Sequence, residues 1–147
     1  MNRQSVNPEH SINRPGFLRW LAAMLYDGLL LFALMAVATT LITLPLGMPS
    51  GVERIIFQLF LFEVIPLVFF TGFWAHGGQT LGMRAWKIRL VREDGRPVDW
   101  RDALKRHLAA LLSWLSLGLG YLWMLHDREH LTWHDRLSAT RLERLEQ

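Results

Sequence analysis

The chain has 147 residues, enough for one domain, with 51% hydrophobic residues, 20% charged residues and a net charge of +3. It has no cysteine, which excludes disulfides, thiolate catalysis and cysteine metal sites. The apolar residues are concentrated in three blocks, with the charges between and after them, which excludes an ordinary water-soluble core and indicates an integral membrane protein.

The first apolar block follows a polar N-terminal arm. Residues 1–16 are rich in turn-forming residues and predict a flexible arm. The block itself, residues 17–44, is longer than the about 20 residues that cross a bilayer as a helix. A cleaved signal peptide is the alternative interpretation. It is disfavoured because Asp27 interrupts the run and apolar residues continue to Leu46, beyond the short apolar core of a signal peptide.

The second apolar block, residues 55–74, again matches one membrane thickness but contains Gln58 and Glu63. A long polar loop follows at residues 75–107, with eight Lys or Arg residues and four Asp or Glu residues. Its pattern predicts a half-buried strand, then a turn, then an amphipathic helix start with an aspartate as N-cap. These elements lie at residues 86–92, 93–96 and 99–107.

The third apolar block, residues 108–125, is the shortest and contains Gly118 and Gly120. The sequence therefore predicts an all-α membrane protein with two full transmembrane helices and a third hydrophobic helix that is broken or re-entrant. A small cytoplasmic loop and strand element would complete it. The membrane domain would cover residues 17–142, and residues 143–147 would form a C-terminal tail.

The basic residues set the expected orientation. The N-terminal arm and the 75–107 loop carry most of the Lys and Arg residues, which predicts that both face the cytoplasm of a bacterial inner membrane. The side of the C-terminus stays open. Three complete crossings would put it outside, although the segment after the third block carries four arginines. A re-entrant third block would return it to the cytoplasm, where residues 139–142 could pair with the strand at 87–92.

Two carboxyl groups fall inside the apolar blocks. A charged side chain at the centre of a membrane helix costs about 2.5–3.5 kcal/mol, so Asp27 and Glu63 are expected to have a function or a partner. Each lies roughly 12 Å into its block, so both could face one interior site if their helices are neighbours. The alternative is that each is protonated or hydrogen-bonded to a neighbour such as Tyr26, Gln58 or a serine of the third block.

The segment after the third block contains a histidine cluster. His126, His130 and His134 follow one another at intervals of four residues and would share one face of a continuous helix, a spacing found in metal sites. However, residues 131–135 have the pattern of a turn with Asp135 as a helix cap, and no zinc signature is complete. The favoured interpretation is a polar segment at the membrane interface, with no metal and no cofactor.

Several motifs together resemble the RDD family of small bacterial membrane proteins. In chain order they are Arg19 with AAMLYD at 22–27, GQTLGMR at 78–84, IRLV at 88–91, LGLGYLW at 117–123 and WHDRLSAT at 133–140. The resemblance implies that the family arginine is Arg19, the helix aspartate is Asp27 and the further aspartate is Asp135. It also implies a membrane protein associated with transport, with cation/proton exchange suggested for some members.

Two functions are compatible with these features, and no motif supports an enzyme. The first is a small transporter or transporter subunit in which Asp27 and Glu63 handle a proton or cation and Arg19 tunes them. Asp135 or the histidines, with His134 as a candidate accessory residue, would line the cytoplasmic mouth. Because three short spans cannot easily enclose a pathway, it requires a homo-oligomer or a partner membrane protein. The second is a non-catalytic membrane adaptor whose intramembrane polar residues hold helices or a partner together. Nucleic-acid binding is not expected, because four acids dilute the basic loop.

Overall fold

The computed structural model describes residues 14–129 and 131–145, so almost all of the predicted N-terminal arm lies outside the described residues. Helices dominate, and two short strands accompany them. In chain order the elements are α1 (Phe17–Leu46), α2 (Gly51–Leu59), a π turn (Phe60–Val64), α3 (Ile65–Ala75), α4 (Leu81–Ala85), β1 (Ile88–Arg92), α5 (Trp100–Leu115), α6 (Leu119–His126), α7 (Trp133–Ser138) and β2 (Thr140–Arg144).

Two stretches are long and apolar enough to cross a bilayer. Helix α1 has 30 residues with a mean hydropathy of 2.3, and the stretch from α2 to α3, Gly51–Ala75, has 25 residues with a mean hydropathy of 2.1. At 1.5 Å per residue, both lengths exceed the about 30 Å of bilayer hydrocarbon. Most of their large apolar side chains are exposed, as expected for helices whose solvent is lipid. The prediction of two transmembrane helices is confirmed.

The second span contains a π turn. The N–H of Ile65 donates to the carbonyl of Phe60, five residues back, where a regular helix would use the residue four back. Pro66 follows directly and has no N–H to donate, so the regular hydrogen-bond ladder cannot continue through this point. The wide turn carries Glu63.

The third apolar block is bent between α5 and α6. Asp99 is the N-cap of α5, as predicted, and its side chain accepts hydrogen bonds from N–H groups of the first turn. The axes of α5 and α6 then differ by 95°, with Gly118 at φ 80° between them. On the inside of the bend, a Cβ added to Gly120 would lie 2.2 Å from the Oγ of Ser113. The prediction of a broken or re-entrant third helix is confirmed.

The strands β1 and β2 form an antiparallel pair in which Leu90 lies opposite Leu142. The predicted pairing of the tail with the loop strand is therefore confirmed. The pairing continues to Arg144, two residues past the predicted domain boundary at 142. Because the strands are hydrogen-bonded to each other, the 75–107 loop and the tail lie on the same side of the two spans.

The buried apolar core lies beside the membrane spans rather than between them. We call residues 76–107 and 131–145 the cap; it includes α4, β1, α7, β2 and the first half of α5. Helix α1 contributes Ala23 to this core, so the cap packs directly on the first span. A salt bridge of 3.1 Å between Arg92 and Asp102 joins β1 to α5. The buried apolar residues are Ala23, Met83, Ile88, Leu90, Val98 and Ala103.

Candidate functional site

Asp27 is buried where α1 meets the cap, with 3% of its surface exposed. Its Oδ2 accepts a hydrogen bond from the Thr80 hydroxyl at 2.5 Å, and its Oδ1 accepts one from the Gly82 N–H at 2.8 Å. Both donors belong to the GQTLG stretch that leads into α4. The carboxyl group in the first apolar block therefore has partners, and they are a hydroxyl group and a backbone amide.

Thr80 and Gly82 are adapted to this contact. The Thr80 hydroxyl donates to Asp27 and also accepts from the N–H of Met83 at 3.1 Å, so it caps α4 at the same time. Gly82 lies so close to α1 that an added Cβ would be 2.3 Å from the carbonyl oxygen of Ala23. A bulkier residue at 82 would force α4 away from α1 and from the carboxyl group.

Arg19 makes a different contact from the predicted one. Its Nη1 donates to the backbone carbonyl oxygen of Trp86 at 2.9 Å, which joins the start of α1 to the connection between α4 and β1. The candidate accessory residue Tyr26 is 45% exposed, while the hydrogen bonds to Asp27 come from Thr80 and Gly82. Arg19 therefore positions the cap on α1 through the backbone.

A second buried carboxyl group, that of Asp135, pairs with Arg106 of α5. The Nη1 of Arg106 lies 2.5 Å from the Oδ1 of Asp135 and also donates to the Thr140 hydroxyl at 2.7 Å. The other carboxyl oxygen, Oδ2, accepts from the N–H and the hydroxyl of Thr132 at 2.8 and 2.6 Å. The guanidinium carbon of Arg106 lies 5.2 Å from the centre of the Trp74 ring. One arginine thus joins α3, α5, α7 and β2.

The charges around Asp135 determine its ionisation and that of the neighbouring histidine. Burial alone would raise the pKa of Asp135, but the Arg106 guanidinium and the Thr132 hydrogen bonds together hold that pKa below its usual value. Burial, and then the nearby Arg106 charge, lower the pKa of His134 from 6.5 to about 3, against the opposing effect of Asp135. The ring of His134 lies 4.9 Å from that of Tyr121. His134 is therefore a neutral ring in the cap, not a residue lining an open mouth.

Glu63 lies in the middle of the second span, twelve residues from either end of Gly51–Ala75, which is about 18 Å in a helix. Its side chain is exposed, as is that of Gln58. Within the part of the chain that the structure describes, Glu63 forms no hydrogen bond and no ion pair. It is close enough to His107 of α5 for an electrostatic interaction.

Asp27 and Glu63 consequently have separate surroundings. Asp27 is enclosed by protein and hydrogen-bonded to the cap, whereas Glu63 is exposed on an apolar span. The expectation that the two carboxyl groups face one interior site is not met by the described geometry. The physical reason lies in the cap, which covers α1 as far as Asp27. The cap supplies the hydrogen-bond donors for the Asp27 carboxyl group, and the second span does not.

Most of the chain matches a known protein family. Residues 14–139 match the model of the RDD family, which covers most of the chain. The chain belongs to the RDD family. No curated protein and no solved structure matches it significantly. Arg19, Asp27 and Asp135, which the resemblance implied to be the family arginine and aspartates, all contact the cap or lie within it.

Of the three clustered histidines of this RDD protein, the structure describes two, and these lie in different surroundings. His126 is an exposed residue at the end of α6, whereas His134 is buried in α7, and His130 lies outside the described residues. Across residues 14–129 and 131–145, no group of three or more His, Asp or Glu side chains could hold a metal ion. The predicted cap of this segment is also wrong: Thr132 is the N-cap of α7, and Asp135 is the third helical residue that completes the capping box.

The sequence did not point to Thr80, Gly82, Arg106 or His107 as site residues. Thr80 lies 53 residues from Asp27, and Arg106 lies 29 residues from Asp135, so neither contact leaves a periodic signal. In the sequence, the GQTLG stretch contributes to the family resemblance, but its spacing from Asp27 gives no sign of the contact between them. The two glycines around a threonine could have indicated this contact. A threonine can cap the start of a helix, and a glycine in the first turn leaves its N–H accessible to an acceptor on a neighbouring helix.

Proposed function

We propose that this RDD protein is a transporter subunit in which Glu63 and His107 handle a proton or a monovalent cation, while Asp27 holds the cap in place. Its two spans and its family make it an integral membrane protein. The observation that carries the proposal is the position of Glu63, an exposed carboxyl group at the centre of an apolar span with no hydrogen-bonding partner in the described chain.

The energetic cost of Glu63 supports a function for it. An acidic side chain at the centre of a membrane helix costs about 2.5–3.5 kcal/mol unless a partner or a proton neutralises it. For Asp27, hydrogen bonds from Thr80 and Gly82 offset this free-energy cost. Glu63 has no comparable contact, and the π turn that carries it is a backbone feature often found at functional sites.

His107 supplies a second group that can take up a proton. It is 6% exposed, and its Nε2 has no hydrogen-bond partner in the described chain. Its ring lies 6.4 Å from that of Phe70, which belongs to the same span as Glu63. A carboxylate and an imidazole on packed helices are the minimum needed to pass a proton between two positions.

Two complete spans and a bent third element are too few to enclose a route through the membrane, so the proposal includes a second copy of this chain. One chain supplies two complete spans and a third that bends by 95°. The exposed side chains of Gln58 and Glu63 would lie in the covered face, where amide and carboxyl groups can hydrogen-bond across helices. The excess of basic residues in the cap favours a cytoplasmic cap in a bacterial inner membrane.

Reconstitution into vesicles tests the proposal. The purified protein is placed in proteoliposomes that contain a pH-sensitive dye, and flux is started by a cation gradient. We expect wild-type flux to be lost in Glu63→Gln and to change its pH dependence in His107→Gln. Glu53→Gln is the matched control, because Glu53 is an exposed carboxyl group in the first turn of α2. Wild-type flux in Glu63→Gln, or no flux in the wild type, contradicts the proposal.

The adaptor function is the second candidate, and one observation favours it. Arg19, Asp27, Arg106 and Asp135 are all engaged in contacts that hold the cap to the spans or hold it together. A protein whose polar residues serve assembly alone would co-purify with a larger membrane complex and show no flux when reconstituted by itself. The vesicle experiment therefore separates the two candidates.

A further inference from the structure

Four basic residues surround the corner where the cap meets the start of α1. Arg19 lies in the first turn of α1, and Arg84, Lys87 and Arg89 lie between the end of α4 and β1. The hydrogen bond from Arg19 to the carbonyl oxygen of Trp86 holds these two segments together. We call Arg19, Arg84, Trp86, Lys87 and Arg89 the basic corner. Because Arg19 is the third residue of a membrane span, the basic corner lies at the level of the lipid headgroups.

The cations of the basic corner have no carboxylate partner in the described chain. Within the residues that the structure describes, none of these four cations forms an ion pair, whereas Arg92, Arg96, Arg106, Arg136 and Arg141 each have a carboxylate within 4 Å. The side chains of Arg84, Lys87 and Arg89 are exposed. The basic corner therefore places uncompensated positive charge at the edge of the cap that is nearest the bilayer; elsewhere in the cap, Arg101, Lys105 and Arg144 also have no ion pair in the described chain.

Trp86 adds a second feature of membrane interfaces. Its ring is 41% exposed, and it lies between Arg84 and Lys87 in the chain. A tryptophan ring with an apolar body and one N–H is suited to the boundary between acyl chains and headgroups. The guanidinium and ammonium groups of the neighbouring residues can donate hydrogen bonds to phosphate oxygens. A zwitterionic lipid should bind less well, because its own cationic group competes with these side chains for the phosphate.

From this combination we infer that the basic corner is a binding site for the phosphate of an anionic phospholipid headgroup on the side of the membrane where the cap lies. The lipid phosphate supplies the negative charge that the cations of the basic corner do not obtain from the cap. This site is separate from Glu63 and His107, so binding at the basic corner does not depend on ion transport.

Native mass spectrometry of the full-length protein in detergent tests the inference. The protein is titrated with phosphatidylglycerol, with phosphatidylcholine of the same acyl chains, and with inorganic phosphate. The wild type should bind phosphatidylglycerol more tightly than phosphatidylcholine. Each surface cation near an anionic lipid contributes about 1 kcal/mol, which is about fivefold in affinity. The Arg84→Gln/Lys87→Gln variant should therefore bind phosphatidylglycerol roughly 30-fold more weakly than the wild type.

Two further variants separate a specific site from general charge attraction. Arg96→Gln/Arg136→Gln removes the same charge from residues that pair with Asp94 and Asp127, and should leave the affinity within a few-fold. Arg84→Lys/Lys87→Arg keeps the charge and should retain binding. The inference is overturned if both double glutamine variants weaken binding equally, if the two lipids bind equally, or if inorganic phosphate displaces the lipid at similar concentrations.

Discussion

Replacement of Gly82 by alanine should break the contact between the cap and the first span. Gly82 has an ordinary helical backbone, so the alanine brings no conformational strain of its own. Its Cβ would lie 2.3 Å from the carbonyl oxygen of Ala23 and 2.9 Å from the Cγ of Asp27. Both are far below van der Waals contact, and the first involves backbone, which cannot rotate away.

The magnitude follows from the movement that is needed. Helix α4 must retreat by about 1 Å to restore an ordinary contact, and overpacking of this kind costs about 1–3 kcal/mol. The same movement stretches the 2.8 Å hydrogen bond from Gly82 to Asp27 beyond its useful range. A hydrogen bond to a charged group contributes about 1.5–3 kcal/mol. We expect Gly82→Ala to lower the free energy of unfolding by about 3–5 kcal/mol.

The assay is equilibrium unfolding in mixed micelles, followed by tryptophan fluorescence, with Gly28→Ala as the control. Gly28 lies one residue after Asp27 on α1, and an added Cβ there meets nothing within 4 Å. Gly28→Ala should change the free energy of unfolding by less than about 1 kcal/mol. Equal stability of the two variants would refute the view that Gly82 is selected for close approach to Asp27.

Three further changes test other contacts of the cap. Thr80→Val keeps the shape but leaves Asp27 without the hydroxyl donor, so unfolding should be easier by about 1–3 kcal/mol, while Thr80→Ser should retain most of the stability in the same unfolding assay. Arg106→Met leaves the Asp135 carboxylate buried and unpaired and should cost about 3–5 kcal/mol; adding Asp135→Asn should recover part of this in a double-mutant cycle, and an additive result would contradict the pairing. His134 has a folded-state pKa of about 3 against 6.5 when unfolded, so the folded state binds fewer protons between these values. The contribution of His134 to stability should therefore be complete above pH 6.5 and fall by about 1.4 kcal/mol per pH unit below it. The pH dependence of the free energy of unfolding should be shallower by about this slope in His134→Gln when both proteins are unfolded across pH 4 to 7.

The spans and the broken third block could be predicted because their signals are local. The length of an apolar run decides whether a helix can cross a bilayer. Both α1 and Gly51–Ala75 are long enough to do so. Gly118 and Gly120 mark the bend between α5 and α6 within the sequence itself. The pairing of β1 with β2 could be anticipated only as one of two open arrangements, the one in which a re-entrant third block returns the tail to the side of the loop.

The contacts of the buried polar groups could not be predicted in the same way. Asp27 was recognisable as an anomaly, but its partners Thr80 and Gly82 depend on how the cap folds onto α1, which no spacing encodes. Asp135 was expected to cap a helix, and its pairing with Arg106 depends on the packing of α7 against α5. For Glu63 the acid is visible in the sequence, but the direction it faces depends on the π turn beside Pro66.

The pairing of β1 with β2 has a consequence for biosynthesis. The strand that completes the sheet is formed by Thr140–Arg144, after every apolar segment of the chain has been made. Arg106 likewise has no counter-ion until Asp135 has been synthesised. Until Asp135 and Thr140–Arg144 have been synthesised, the inserted spans carry an open edge strand and an uncompensated arginine. Synthesis of this late segment, rather than membrane insertion of the spans, is therefore the event that permits the cap to complete its fold.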